Sequence, residues 1–210
     1  MTKVWKVLNL YSGIGGNRKL WEDVDVTAVE IDLDIASVYQ DFFPDDKVVV
    51  DDAHQYLLDH YDEFDFIWSS PPCPTHSVTN FFLNKQGIIR YPDMGLWQEI
   101  IFLKYFCGCK WVVENVAPYY ESFITPFYYN QRHYFWSNFV IPCNPHKNDF
   151  DTIIASASDL QRLHGFDLSG FTVKNKIEIL RNCVKPELGK LILDCAYRYK
   201  QVSLRCFVDG

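Results

Sequence analysis

One thiol stands where the chain turns abruptly from apolar to polar. Residues 64–70 read Phe-Asp-Phe-Ile-Trp-Ser-Ser, a short run rich in apolar and aromatic side chains that predicts a buried strand. Pro71 and Pro72 end it, because neither can donate to a sheet ladder and each restricts the residue before it, and Cys73 follows at once. Open α/β sheets bind ligands at the carboxyl ends of their strands, so the sulfur is expected on the ligand edge, aimed by a stiff Pro-Pro step. Most free cysteines are small buried hydrophobes. Thr75, His76 and Ser77 are polar neighbours that argue against deep burial here and favour a nucleophile. A second reactive group sits in a similar place. Trp111-Val112-Val113 reads as a buried strand, Glu114-Asn115-Val116 lies at its end, and Pro118 closes the next turn. That puts a carboxylate on the same edge as the thiol.

The amino-terminal part offers groups suited to holding a nucleotide. Residues 4–10 predict a strand, Tyr11-Ser12-Gly13-Ile14-Gly15-Gly16 a glycine loop, and residues 17–22 a helix. Strand, glycine loop and helix form the layout of a nucleotide-cradling turn, in which glycines let the backbone approach a ligand. The spacing lacks the third glycine of the dinucleotide fingerprint, and the absence of Gly-Lys-Ser/Thr excludes a P-loop. A second strand over 24–29 ends in Glu30-Ile31-Asp32, where an acid can grip both hydroxyls of a ribose. A third over 47–50 ends in Asp51-Asp52-Ala53, where a carboxylate can accept a hydrogen bond from an adenine amino group. Helix N-capping competes for both acidic clusters, since Asp34 and Asp52 precede helical patterns over 34–43 and 54–61.

Strand and helix thus alternate through the first 70 residues, which predicts a doubly wound, mostly parallel α/β sheet. Four strand ends then share one edge: residues 13–16, Glu30, Asp52 and Cys73. Residues 78–95 read as a long polar loop after the thiol, of a length usual for lids and binding loops, and residues 96–106 as a helix.

With 210 residues and 48% hydrophobic content, the chain fits one globular domain. No apolar run is long enough to cross a bilayer and residues 1–10 lack a signal-peptide core, so a cytoplasmic protein without a membrane partner is expected. Seven cysteines form no disulfide framework, and no full zinc ligand set is found: Cys107-Gly108-Cys109 is too tight, and Cys143 with His146 makes half a site. The net charge of −7 is uneven, at −10 over residues 1–70, −1 over 71–160 and +4 over 161–210, so a polyanion can still approach the last part of the chain.

Taken together and in order, these motifs resemble the DNA cytosine 5-methyltransferases. Tyr11-Ser12-Gly13-Ile14-Gly15-Gly16 is similar to the family's cofactor loop, Glu30 to its ribose-binding acid and Asp52 to its adenine-binding acid. Pro71-Pro72-Cys73 and Glu114-Asn115-Val116 are similar to its two catalytic motifs, and Gln131-Arg132-His133-Tyr134 to a reduced Gln-Arg-x-Arg motif. Residues 160–166 resemble the Arg-Leu-Gln-Gly-Phe segment, and residues 181–186 the Gly-Asn-x-Val-x-Pro segment that returns to the cofactor.

The resemblance implies a Rossmann-like S-adenosylmethionine-dependent methyltransferase fold in one domain over 1–210. Catalysis would fall to Cys73, Glu114 and Arg132, with no metal. Cofactor contacts are implied for Tyr11, Gly13, Gly15, Gly16, Glu30, Ile31, Asp52, Ala53, Pro72, Asn182 and Val184. The partner would be double-stranded DNA with a cytosine flipped out of the stack.

Two departures bear on specificity. Pro74-Thr75-His76 replaces the usual residues after the thiol, and only residues 138–156 stand where a large target-recognition region is usual. Residues 157–210 would then return the chain to the cofactor. In this the sequence resembles short phage and prophage members, such as serve restriction-modification. An RNA-directed enzyme and a catalytically silent binding module are the competing readings. The oligomeric state is left open, a monomer being slightly favoured.

Overall fold

The computed structural model describes residues 3–129, 132–142 and 155–198. Seven strands form one sheet: β1 (Trp5–Leu10), β2 (Val24–Glu30), β3 (Lys47–Val50), β4 (Phe66–Ser69), β5 (Lys110–Val116), β6 (Tyr128–Tyr129) and β7 (His133–Ser137). The helices are α1 (Leu33–Phe42), α2 (Ala53–His60), α3 (Asn80–Lys85), α4 (Gly95–Phe106), α5 (Ala157–His164), α6 (Lys176–Arg181) and α7 (Pro186–Arg198). The strand order is β3-β2-β1-β4-β5-β7-β6, with β1 to β5 parallel and β7 antiparallel to both β5 and β6. This is the expected doubly wound, mostly parallel sheet of a Rossmann-like methyltransferase fold. The order reverses between β1 and β4, and the register Leu10↔Ser69 brings their carboxyl ends level. That reversal is the topological switch point, where such sheets open a crevice for ligands.

Both faces of the sheet are covered, so its central strands are apolar throughout rather than alternating with polar residues. Val7, Phe66, Trp68, Val112 and Phe135 point to the face packed by α7, through Leu188, Ile192 and Leu193. Leu8, Leu10, Ile67, Trp111, Val113 and Trp136 point to the other, against Leu57 of α2 and Leu96, Ile100 and Leu103 of α4. A third cluster joins Ile14 of the glycine loop and Val38 of α1 to Leu160, Phe166 and Leu180.

Three expectations change. Residues 17–22 form no helix; the chain runs in successive tight turns, Gly15 N to Ser12 O, Arg18 N to Gly15 O and Trp21 N to Arg18 O. Side chains hold this shape. Arg18 donates to Asp46 through Nε (2.8 Å) and Nη2 (2.9 Å) and to the carbonyl of Trp21 (2.7 Å), while Asn17 Nδ2 donates to Asn9 Oδ1 (2.8 Å). The loop 78–95 carries the short helix α3. Asn138, placed at the start of the recognition segment, is a core clamp instead. Its amide accepts from Trp111 N (3.0 Å) and donates to Cys109 O (2.7 Å), and Phe139 and Ile141 beside it are buried. The remainder of that segment, with Cys143 and His146, falls mostly outside the described residues.

Helix α7 lies directly on the turn after the glycine loop, and a Cβ at Gly189 would fall on the backbone of Asn17. Gly189→Ala should therefore cost about 1–3 kcal/mol, the usual penalty of overpacking a filled site, and lower the melting temperature in a calorimetric scan. An unchanged melting point would show that α7 sits further away.

Candidate active site

The glycine loop begins where β1 ends. Tyr11 and Gly13 take left-handed backbone conformations (φ 53° and 54°), and a Cβ on Gly13 would meet nothing within 4 Å. Open space above a glycine backbone beside a strand end is what a bound nucleoside requires. Gly15 and Gly16 are glycines for another reason. Side chains there would strike Phe43 and Tyr39 of the α1 region, or the carbonyl of Val184 at 2.7 Å. Val184 is buried against the loop, so the carboxyl-terminal segment does return to it, with Asn182 exposed nearby in sequence.

At the end of β2, Glu30 Oε2 accepts from Gly13 N (2.9 Å) and Oε1 from Asp32 N (3.0 Å). The acid thus shapes the loop, and each oxygen keeps acceptor capacity for a hydroxyl. Ile31 beside it is 70% exposed, an apolar side chain free to meet a flat ring. At the end of β3, Asp52 caps α2 by accepting from Gln55 N (2.8 Å), with Ala53 buried behind it. Capping is therefore real at Asp52. At the second strand the cap is Asp32, which accepts from Asp34 N and Ile35 N, rather than Asp34. Loop opening, acid, exposed apolar side chain and second acid are an acceptor and surface set that fits S-adenosylmethionine.

Cys73 is half-buried beyond β4, while Pro72 is exposed. Asn115 Nδ2 donates to the carbonyl of Pro71 (2.9 Å), so the thiol loop is tied to the end of β5, next to Glu114. Further bonds fold the loop back on itself. His76 N and Ser77 N donate to Cys73 O, Asn80 Nδ2 to Pro74 O (2.9 Å), and the Tyr120 hydroxyl meets His76 Nδ1 at 2.6 Å. Burial pushes the Cys73 thiol up, and the charge of Glu114 adds to this, while the guanidinium of Arg132 pulls the other way. The sulfur therefore rests as a thiol beside a carboxylate.

Arg132 precedes β7, and its carbonyl accepts from Ala117 N (2.7 Å). Its charge also bears on His164, whose ring is pushed down to about 4, first by burial and then by Lys185. Glu114 and Arg132 thus both lie within electrostatic reach of Cys73, as does Glu178 of α6.

Two participants were missed by sequence reasoning. His133 lies on the same face of the sheet as Glu114, across the β5–β7 pairing, with Nδ1 3.9 Å from Oε1. Glu99 is 1% exposed and takes part in three side-chain hydrogen bonds. Its signal was present in the sequence: with Leu96, Ile100 and Leu103 it falls on one helical stripe, the only acid on an apolar face. A cavity of about 410 Å³ lies elsewhere, at the opposite end of the strands, lined by Trp5, Phe64, Cys109 and Lys110 among others.

The architecture is that of a Rossmann-like methyltransferase. Residues 5–101 match the family of C-5 cytosine-specific DNA methylases, which bears out the resemblance read from the motifs. That match spans the glycine loop, both strand-end acids and Pro71-Pro72-Cys73; Glu114 and Arg132 lie beyond it. Among solved structures, the methyltransferase EhMeth of Entamoeba histolytica is 13% identical, with 93% of this chain and 98% of that one covered at a TM-score of 0.57, a likeness of fold. A mutant DNMT2 of Spodoptera frugiperda is 27% identical over 53% of this chain and 35% of its own, at a TM-score of 0.37. No curated protein matches the chain. Among the described residues no helix is long and apolar enough to cross a membrane.

The electrostatics of the thiol make a direct prediction. Because the Cys73 pKa is raised above its ordinary 9.0, iodoacetamide should alkylate it slowly at neutral pH and faster as pH rises through 9 and beyond. Removing the opposing charge with Glu114→Gln should speed alkylation at a pH of about 8, read by peptide mass spectrometry. An unchanged rate would mean that Glu114 does not face the sulfur.

Proposed function

We propose that this protein transfers a methyl group from S-adenosylmethionine to carbon 5 of cytosine in DNA. The observation that carries the reading is the buried link from Asn115 to Pro71, which fixes the Cys73 loop against the strand bearing Glu114. Carbon 5 of cytosine is a poor nucleophile and needs activation. In this reading Cys73 loses its proton to water and adds as the thiolate to carbon 6, and the ring electrons displaced by the new bond make carbon 5 enamine-like. Glu114 holds ring nitrogen 3 and the amino group, favouring protonation at nitrogen 3. Arg132 offsets charge that develops near the carbonyl oxygen. S-adenosylmethionine, when bound, supplies an electrophilic methyl group, which carbon 5 accepts. Loss of the carbon-5 proton to water and expulsion of Cys73 as the thiolate end the cycle and leave 5-methylcytosine, with S-adenosylhomocysteine as the product that has given up the methyl. Tyr11, Gly13, Glu30, Ile31, Asp52 and Ala53 line the cofactor's place, with Gly15, Gly16 and Val184 packing the loop beneath it and Pro72 and Asn182 beside it.

A cytosine in duplex DNA must leave the stack to reach a thiol at the foot of this crevice, and residues 78–95 with α3 stand next to Cys73 to close over it. Phosphate contacts fall to the basic last part of the chain, so binding should weaken steeply with salt. One domain acting in the cytoplasm of a bacterial or phage-infected cell is the setting this reading implies.

An assay with labelled S-adenosylmethionine tests the reading. Label should enter duplex DNA as 5-methylcytosine with wild-type protein and be absent with Cys73→Ser. Label entering RNA alone, or no turnover on any nucleic acid, would overturn it. By calorimetry, Glu30→Ala and Asp52→Ala should each weaken cofactor binding by about tenfold, the usual effect of losing a charge-assisted hydrogen bond. Unchanged affinity in both would leave the acids as loop brace and helix cap alone.

A further inference from the structure

The carboxylate of Glu99 joins three segments that approach the ligand edge from different strands. It projects from α4 into the protein and is 1% exposed. Tyr11 OH donates to Oε2 (3.0 Å), from the first residue of the glycine loop. His54 Nδ1 meets the same oxygen at 3.0 Å, from the first turn of α2 just after Asp52 and Ala53. Ser69 Oγ donates to Oε1, from the last residue of β4, two positions before Pro71. A carboxylate can only accept, so His54 carries its proton on Nδ1.

Burying an acid is costly unless it is fully hydrogen-bonded, and three donors from three elements meet that demand only when all three are correctly placed. The geometry therefore points to Glu99 as a positioning residue for the cofactor cradle: one buried carboxylate sets the glycine loop, the adenine-side turn and the root of the thiol loop relative to one another. It touches neither substrate nor cofactor; it acts through Tyr11, His54 and Ser69.

The protonation behaviour of the network agrees. His54 is raised above its ordinary 6.5, first by the bond to Glu99 and further by the charges of Glu99 and Asp52, against the opposing effect of burial. Tyr11 is driven well up by burial and by Glu99, with Asp52 and Asp93 adding, so its hydroxyl stays a donor. A histidine raised in this way adds stability below its unfolded pKa and loses it as pH rises through the folded value. The network is thus tightest on the acid side of neutrality.

The inference rests on the S-adenosylmethionine reading above, and the test separates the two. Cofactor affinity is measured by calorimetry for wild-type, Glu99→Gln, Tyr11→Phe and His54→Gln, with thermal melting of each and proton NMR titration of the imidazoles. Glu99→Gln should weaken affinity by about tenfold or more, by the ordinary effect of unpairing buried polar groups. The KM for S-adenosylmethionine should rise in step, with kcat less affected. The His54 titration in this variant should fall back toward its ordinary value. Tyr11→Phe and His54→Gln each remove one arm without leaving a lone cavity and should show smaller losses in the same direction, which keeps the test decisive if Glu99→Gln does not fold. A merely structural carboxylate would lower the melting temperature while the folded protein kept its affinity and the two single-arm variants bound normally. That result overturns the inference. Wild-type protein that fails to bind S-adenosylmethionine overturns the cofactor reading and this inference with it.

Discussion

The site depends on the bond from the Asn115 amide to the carbonyl of Pro71. Pro71 has no N–H and ends β4; Asn115 lies near the end of β5, one residue after Glu114. Both residues are buried, so the bond is shielded from water and its loss would leave polar groups unpaired. Through it the stiff Pro-Pro step carries the thiol to a fixed place beside the carboxylate. The consequence is electrostatic: burial and the charge of Glu114 hold the Cys73 thiol protonated, and the charge of Arg132 pulls the other way. A thiol in such a setting is a weak nucleophile at neutral pH.

The carboxyl-terminal third does more than cover the sheet. Gly16 meets Val184, Asn17 meets Gly189, and Lys19 donates to the carbonyl of Gly165. The turns after the glycine loop are therefore moulded by helices more than 140 residues later in sequence. The glycine loop and the turns after it thus pack directly against the last third of the chain.

That arrangement explains which parts were legible in the sequence. The parallel strands were readable because burial on both faces leaves short uninterrupted apolar runs, and the glycine loop, strand-end acids, thiol and Glu114 were readable because each follows such a run. The stretch 17–22 was misread because its shape is imposed by Arg18 reaching Asp46, Asn17 reaching Asn9, and α7 pressing from outside, none of which is local. Asn138 was placed at the start of the recognition segment because an amide that clamps the backbone of residues 109–111 has no sequence signature. Glu99 was readable in principle, as an acid on an apolar helical stripe, but its partners were not: they come from three separate strands' ends. His133 was passed over because the strand pairing that brings it to Glu114 is antiparallel and follows residues with no periodic signal.

The most direct measurement is mass spectrometry of the protein after incubation with S-adenosylmethionine and a duplex carrying 5-fluorocytosine in place of cytosine. Fluorine cannot leave carbon 5 as a proton does, so a sulfur that has added to carbon 6 stays bound. The account predicts a stable protein–DNA adduct whose cross-linked peptide carries the modification on Cys73. A duplex that is methylated in its unfluorinated form but yields no adduct, or an adduct on any other residue, would contradict it.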